Sequence, residues 1–282
     1  MQAQRLPAAR GWYWIVDGFR LFRRNPPLLG FLVFGYWFLL LLIDMVPLVG
    51  PVAASLCVPA LSVSVMNGCR AIELGQRPDL NLLLSGFQRH PRMLGALGGL
   101  NFVCWMVVLG IGAAIDGGTL TQALTSGRVL DADTLGDSRV QFAVLTTLLL
   151  MVPVLMAFWY APLLVAWDNC PPGKALFFSF IASWRNGRAF FGYGLGIMLL
   201  SGVLPGLLLG IAAAFSETLF SLAAAAFTVP LMLVFVPTLF ASFYVSYRDV
   251  FEPPLDEVPP GEALPLNSIE PPAAPPSDEG DA

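Results

Sequence analysis

The chain has 282 residues, of which 56 % are apolar and only 12 % are charged, and its mean hydropathy is +0.72. A soluble domain has about 25 % charged residues, so this composition excludes an ordinary soluble globule and requires lipid around much of the surface. The net charge of −4 combines basic segments beside the apolar runs with an acidic C-terminal region, and no basic domain for nucleic acid is present.

Six apolar stretches are long enough to cross a bilayer as helices, which requires about 20 mostly apolar residues. They cover roughly residues 28–46, 48–68, 93–115, 140–167, 189–213 and 218–246. These runs are continuously apolar rather than alternating, which argues against a transmembrane β-barrel. We therefore predict an all-α membrane protein with six transmembrane helices, arranged as three helical hairpins.

The basic residues are distributed unequally between the two sides of the predicted bundle. Thirteen of the fifteen Lys and Arg residues flank the spans on the side of the two termini, and only Arg128 and Arg139 lie on the other side. Cytoplasmic segments carry the excess of Lys and Arg, so both termini are predicted to be cytoplasmic in a bacterial inner membrane. We expect no cleavable signal peptide, because the first apolar run is too long for one.

The sequence contains an internal repeat of three units, each with an amphipathic segment, a basic turn, an outward span and a returning span. The basic turns align as Phe22–Pro26, Phe87–Pro91 and Ser183–Gly187. Each returning span carries two prolines, and the second of each pair is Pro59, Pro162 or Pro237. Proline removes a backbone donor and crowds the preceding turn. We therefore predict kinks at these three positions, facing the bundle interior.

Small and polar residues inside the spans are candidates for contacts between helices. The glycines expected to pack against the kinked spans are Gly95, Gly99, Gly192 and Gly196. The polar residues inside the spans are Asn67, Asn101, Ser62, Ser64, Thr146, Thr147 and Ser201. We interpret these polar residues as groups that form hydrogen bonds between helices. The alternative is a substrate site built from them.

Three amphipathic segments precede the outward spans and are typical of helices that lie on the inner leaflet. The first belongs to a cytoplasmic N-terminal region of residues 1–27. Its apolar face contains Trp12, Ile15, Val16, Phe19 and Phe22. The second follows Asp79, whose carboxylate can cap it, and the third runs from Lys174 to Arg185. These segments can bind anionic lipid or a partner, or simply anchor the bundle. The candidate interfacial residues are Trp12, Arg23, Arg24, Arg89, Trp159, Trp167, Lys174 and Arg185.

Residues 251–282 differ in composition from the rest of the chain. They contain nine prolines, eight acidic residues and no cation. A segment of this kind cannot bury enough apolar surface to fold. We therefore predict a disordered cytoplasmic tail after a transmembrane bundle of residues 28–250.

The sequence offers no catalytic residues, no cofactor site and no metal site. His90 is the single histidine, the four cysteines are far apart, and Pro171–Ala175 lacks the residues that a phosphate loop requires. Charged residues fall at span ends, whereas proton and ion relays use charges inside the membrane. We therefore expect a protein without enzymatic activity.

The segment Phe158–Asp168, followed by Pro172–Leu176, resembles the signature of an uncharacterised family of six-span inner-membrane proteins of proteobacteria. The resemblance covers about residues 10–250 and excludes the tail. It implies the same six-span topology, and it brings no activity, cofactor or site residue.

Two functions remain open from the sequence. The first is a non-enzymatic protein that organises the membrane or binds a protein partner. The second is a facilitator or permease for a small apolar or lipid-like substrate, with the proline-containing spans around a central path. A cavity lined by these spans favours the second function, and a tightly filled centre favours the first.

Reporter fusions test the predicted topology. Because both termini are predicted on the cation-rich side, fusions at Arg10 and Asp256 should report a cytoplasmic location. A fusion at Asp131 should report a periplasmic location. Paired alkaline phosphatase and fluorescent-protein reporters measure both outcomes, and opposite locations for the two termini would contradict the six-span topology.

Overall fold

The computed structural model describes residues 4–76, 79–126, 131, 134 and 136–251. No β-strand occurs in this described part of the chain. The predicted tail lies outside the described residues, apart from Phe251.

The described chain contains three successive groups of helices, each beginning with a short helix. The first group contains α1 (Arg10–Arg24), α2 (Pro26–Asp44) and α3 (Gly50–Glu73). The second group contains a 3-10 helix (Leu80–Phe87), α4 (Pro91–Asp116), α5 (Thr119–Ser126), α6 (Ser138–Phe158) and α7 (Ala161–Trp167). The third group contains α8 (Pro172–Arg185), α9 (Gly187–Met198), α10 (Leu204–Phe215), α11 (Glu217–Pro230) and α12 (Val236–Phe251). The π-helical segments Leu199–Val203 and Leu231–Phe235 join α9 to α10 and α11 to α12.

Six helical stretches in the described residues are long and apolar enough to cross a membrane. They are Pro26–Asp44, Gly50–Glu73, Pro91–Asp116, Ser138–Trp167, Gly187–Phe215 and Glu217–Phe251. The six predicted spans are therefore present. The second ends at 73 rather than 68 and the sixth at 251 rather than 246, because polar and charged residues continue both helices beyond their apolar runs.

Side-chain caps set the beginnings of several helices, among them α2 and the 3-10 helix. The side chain of Asn25 accepts a hydrogen bond from the Leu28 backbone N–H at 3.2 Å and caps α2. The predicted cap by Asp79 is also present, because its carboxylate accepts from the Asn81 backbone N–H at 2.9 Å. Such caps satisfy backbone donors that the first helical turn leaves free.

The three groups close into a ring through their short helices. The 3-10 helix of the second group packs on α3 of the first, and α8 of the third packs on α6 and α7 of the second. Helix α1 of the first group packs on α12 of the third. Consecutive long helices also pack in pairs, namely α2 with α3, α4 with α6, and α10 with α11. Each short helix therefore joins its own group to another group.

Glycine allows two of these short helices to approach the long ones closely. A Cβ atom on Gly18 of α1 would lie 2.6 Å from the Ser242 backbone N of α12. A Cβ atom on Gly86 of the 3-10 helix would lie 1.8 Å from the Ala60 carbonyl oxygen of α3. Any larger residue at either position would push the short helix away from its partner.

The glycines expected to pack against the proline-containing spans mostly have other neighbours. A Cβ atom on Gly99 would contact α3 at 3.3 Å, as expected, but Gly95 has open space around it. A Cβ atom on Gly192 would lie 2.8 Å from the Ala8 carbonyl oxygen, and a Cβ atom on Gly196 would lie 2.7 Å from the Ile15 side chain of α1. The prediction was therefore wrong for these last three glycines. The physical reason for Gly192 and Gly196 is that α1 and the residues before it occupy that face of α9.

Buried residues are concentrated at one end of the bundle, which we call the basic end. The basic end carries α1, the 3-10 helix, α8 and the first turns of α2, α4 and α9. The buried residues of α2 lie between Leu28 and Tyr36, in its first half, and those of α3 lie mainly between Pro59 and Ile72, in its second half. Helix α11 has no buried residue and α10 has only Ala212. The opposite halves of the fifth and sixth spans therefore pack little against the rest of the described chain.

The short helices α1 and α8 each pack one face against the long helices and leave aromatic side chains exposed. In α1, Trp12 and Phe19 of the predicted apolar face are exposed, whereas Ile15 and Phe22 of the same face are buried, and Trp14 is fully buried. The buried residues of α8 are Ala175, Ser179, Ala182 and Ser183. Its large residues Phe177 and Trp184 are 61 % and 69 % exposed. In α8, close packing on the long helices selects the small residues, which leaves these two aromatic side chains on the outside.

The contact between α1 and α12 is tested by replacing Gly18 with Ala. The added methyl group has no space, and overpacking of this kind typically costs about 1–3 kcal/mol. We expect Gly18→Ala to lower the thermal unfolding midpoint of the purified protein in detergent. Gly110→Ala is the control, because a Cβ atom there meets nothing within 4 Å. Equal midpoints for the two variants would contradict the described contact.

Candidate ligand-binding cavity

A cavity of about 360 Å³ lies between the returning spans. Residues from α3, α4, α9, α12 and the junction of α6 with α7 form its wall. They are Ser55, Val58, Pro59, Ser62, Met66, Asn101, Phe158, Trp159, Pro162, Leu163, Tyr193, Ile197, Leu239, Phe240 and Phe243. Small-molecule sites commonly have volumes of about 300–1,000 Å³, so this cavity has the size of a site for a small molecule or part of a lipid.

The three prolines of the repeat lie in or beside the cavity wall. Pro59 lies inside the continuous helix α3, and Pro162 lies in the first turn of α7; both line the cavity. Pro237 is buried in the first turn of α12, just before the residues of that helix that line the cavity. Regular α-helix is interrupted before Pro162 and before Pro237, whereas α3 continues through Pro59 without a break.

Serine hydroxyls complete the backbone hydrogen bonds at the junction of α6 and α7. Ser179 donates to the carbonyl oxygen of Met156 at 2.8 Å, and its hydroxyl accepts from the Tyr160 backbone N–H at 2.9 Å. Ser183 donates to the same Met156 oxygen at 3.3 Å. Lipid cannot satisfy free backbone groups, so these two buried serines of α8 stabilise the interruption that precedes Pro162.

The cavity wall is apolar and aromatic, with few polar groups. None of the described residues that form it is charged. The Tyr193 hydroxyl is bonded to Ser242 Oγ at 2.7 Å. Asn101, in contrast, lines the cavity and forms no hydrogen bond with any described residue. The wall can therefore hold an uncharged, largely apolar molecule.

Aromatic neighbours fix the position of Trp159 in this wall. Its ring centroid lies 5.5 Å from that of Phe190 and 5.5 Å from that of Phe243, both in edge-to-face geometry. Such arrangements are preferred between aromatic rings. Trp159, one of the predicted interfacial residues, thus lies beside the cavity, and the adjacent Tyr160 is fully buried in the core.

The other candidate interfacial residues lie at the basic end. The exposed ones are Trp12, Arg23, Arg24, Arg89, Lys174 and Arg185. Trp167 is partly buried, and its indole N–H donates to Asn67 Oδ1 at 2.9 Å. The Arg70 guanidinium lies 5.4 Å from the centroid of the Trp167 ring. These contacts join the end of α7 to α3.

A network of ion pairs at the basic end joins α1, α3 and α12. Asp249 accepts hydrogen bonds from Arg10 Nε at 2.6 Å and from Trp14 Nε1 at 3.0 Å. Arg248 pairs with Glu73, and it also lies 3.5 Å from the Asp249 carboxylate. The hydrogen bond to Asp249 raises the pKa of Arg10 above its ordinary value. Arg10 therefore stays charged and links α1 to α12.

Several of these structural residues were not predicted from the sequence. Glu73 and Asp249 are acidic residues within the cation-rich segments of the sequence, and this location could have indicated that they form ion pairs. Asn186 gave no such signal. It is buried, its side chain accepts from the Leu6 backbone N–H at 2.9 Å, and it donates to the Gln4 carbonyl oxygen at 2.9 Å. Asn186 thus fixes the segment before α1 on the start of α9.

The double variant Ser179→Ala with Ser183→Ala tests the serine contacts beside the cavity. It leaves a buried backbone carbonyl and N–H without partners, and such losses cost about 1–3 kcal/mol. We expect a clearly lower unfolding midpoint in detergent. The matched control is Ser201→Ala with Ser221→Ala, because both hydroxyls only bond the carbonyl four residues earlier in their own helix. Equal unfolding of the two double variants would show that the serines do not support the junction.

Comparison with known proteins agrees with the architecture. The chain is 35 % identical over 257 residues to a probable inner membrane protein of Burkholderia thailandensis, and the match covers 89 % of this chain and 94 % of that relative. No family model matches the chain, and no solved structure matches it. The relative confirms the predicted resemblance to inner-membrane proteins without an assigned activity. With its six apolar helices, the chain belongs to the family of this probable inner membrane protein.

Proposed function

We propose that the protein is a non-enzymatic facilitator that takes an apolar or lipid-like molecule into the cavity between its returning spans. This is the second of the two functions that the sequence left open. The observation that carries the proposal is the cavity of about 360 Å³ lined by the proline-containing spans. A protein that only organises the membrane or binds a partner has no need for such a space.

The chemistry of the wall supports an apolar ligand. Aliphatic and aromatic side chains dominate it, and among its described residues there is no charge. Apolar cavities exclude water and bind apolar molecules. A polar or ionic substrate would lose its hydration here without receiving equivalent contacts, which favours a hydrocarbon or a lipid chain.

The uneven packing of the bundle supports entry of the ligand from the bilayer. At the basic end, the helices are closely packed and connected by ion pairs. The opposite halves of the fifth and sixth spans, α10 and α11, bury almost no side chains. We therefore expect a lipid-like molecule to reach the cavity between these loosely packed halves, and not through the basic end.

The placement of the bundle in the membrane forms part of the proposal. We infer that three helical hairpins span the inner membrane with both termini and the basic end in the cytoplasm. The exposed aromatic residues of α1 and α8, such as Trp12 and Trp184, then meet the inner leaflet. The nearby exposed cations favour anionic lipid headgroups there. The ring of contacts between the three groups supports an arrangement with pseudo-threefold symmetry.

Filling the cavity tests the proposed function. Ser62 lines the cavity, so Ser62→Phe places a large ring in it. Ser221→Phe is the control, because Ser221 is exposed on α11. Native mass spectrometry of protein extracted from its own membranes should detect a retained lipid-like molecule on the wild type and on Ser221→Phe.

The Ser62→Phe variant should lose most of this bound molecule while keeping an unfolding midpoint close to that of the wild type. Retention of the same molecule by the folded Ser62→Phe variant would contradict binding in the cavity. A wild-type protein with no retained apolar molecule would contradict the proposal as a whole.

A further inference from the structure

Asn101 lines the cavity and has no partner in the described chain. Thr147 Oγ1 is also buried without a partner, but Thr147 does not line the cavity. Asn67 donates to Ser85 Oγ at 2.9 Å and accepts from Trp167. Ser64 donates to a carbonyl of its own helix and accepts from the Gly86 backbone N–H at 2.9 Å. Asn101 lines the cavity, and its amide forms none of these contacts. The sequence predicted that Asn101 forms a hydrogen bond with a neighbouring helix, and this prediction is wrong.

An amide without a partner is unfavourable in this environment. Transfer of an amide into apolar surroundings costs free energy unless a hydrogen bond replaces the lost water. Polar residues inside membrane spans therefore usually bond to a neighbouring helix or face a functional cavity. Since the described helices provide no partner, the partner of Asn101 is expected to come from the molecule in the cavity.

We propose that Asn101 binds the hydroxyl or carbonyl group of an uncharged lipid whose chain occupies the cavity. This inference rests on the proposed function, and it specifies the class of ligand. The Asn side chain has both a carbonyl acceptor and an NH₂ donor, so it recognises either group. An anionic lipid is disfavoured, because no described residue of the wall supplies a positive charge.

The depth of Asn101 agrees with this class of ligand. Asn101 is the eleventh residue of α4, which begins at Pro91. At a rise of about 1.5 Å per residue, it lies roughly 15 Å along the helix, near the middle of a hydrocarbon core about 30 Å thick. The headgroup of a phospholipid stays at the membrane surface. A lipid alcohol or a lipid carbonyl compound can place its polar group at this depth.

The test uses two photoactivatable probes of equal chain length, a diazirine analogue of hexadecanol and a diazirine analogue of hexadecane. Each is incorporated with the full-length protein into lipid nanodiscs, and labelled peptides from the cavity wall are quantified by mass spectrometry. Unlabelled hexadecanol, hexadecane and palmitate at alkaline pH serve as competitors. A hydrogen bond inside a membrane contributes modestly, so we expect hexadecanol to compete about three- to tenfold better than hexadecane. Palmitate should compete poorly.

Asn101→Leu isolates the role of the amide, and Asn81→Leu is the control at an exposed asparagine outside the cavity. We expect Asn101→Leu to remove the preference for hexadecanol while labelling by the hexadecane probe stays unchanged. Its unfolding midpoint should be equal to or above that of the wild type, because an unpaired amide is lost. Asn81→Leu should keep the preference.

The possible results separate the inference from the proposed function. Equal preference for hexadecanol in the wild type and Asn101→Leu would overturn the role of Asn101 and leave the cavity as an apolar site. A lower unfolding midpoint of Asn101→Leu would also overturn it, because it would show a structural bond. Preferred binding of palmitate would overturn the uncharged class of ligand. Absence of labelling in the cavity by either probe would refute the proposed function itself.

Discussion

Backbone groups inside a bilayer have no water to bind, so the protein itself must complete every interruption of a transmembrane helix. At the junction of α6 and α7, the hydroxyls of Ser179 and Ser183 meet this requirement from α8. The Ser64 hydroxyl of α3 similarly accepts a hydrogen bond from a backbone N–H of the 3-10 helix. In both places, a short helix that begins one group of helices is bound to the last long helix of the group before it. The arrangement of the bundle depends on these contacts.

The contact of α1 with α12 closes the ring of the three groups. Gly18 allows the close approach, and the ion pairs of Arg10 with Asp249 and of Arg248 with Glu73 hold it at the basic end. Because the short helices fix the long helices at this end, the interior further along the spans need not be filled by side chains. The cavity results from this arrangement, and its apolar wall favours a lipid-like ligand over an ion or a sugar.

The length and continuity of the apolar runs were enough to predict the six long helices, and the residue type at Asp79 was enough to predict a cap. The buried faces of α1 and α8 could not be predicted, because both faces of each helix carry apolar residues and tertiary packing decides between them. The buried face of α8 consists of small residues, whereas that of α1 combines two glycines with large residues such as Trp14. The ion pair between Arg248 and Glu73 joins residues far apart in the sequence. Asn101 was one of seven polar residues inside the spans, and only the structure distinguishes it as the one that lines the cavity without a partner.

The cavity is expected to hold a lipid-like molecule selected from the bilayer. The most direct measurement is photo-crosslinking in the native membrane with p-benzoylphenylalanine in place of Phe240, which lines the cavity, or of Phe142, which is exposed on α6. Mass spectrometry then identifies the attached lipids. We expect a narrow set of uncharged lipids at position 240 and the bulk phospholipids at position 142. The same phospholipids at both positions, or no lipid at position 240, would contradict it.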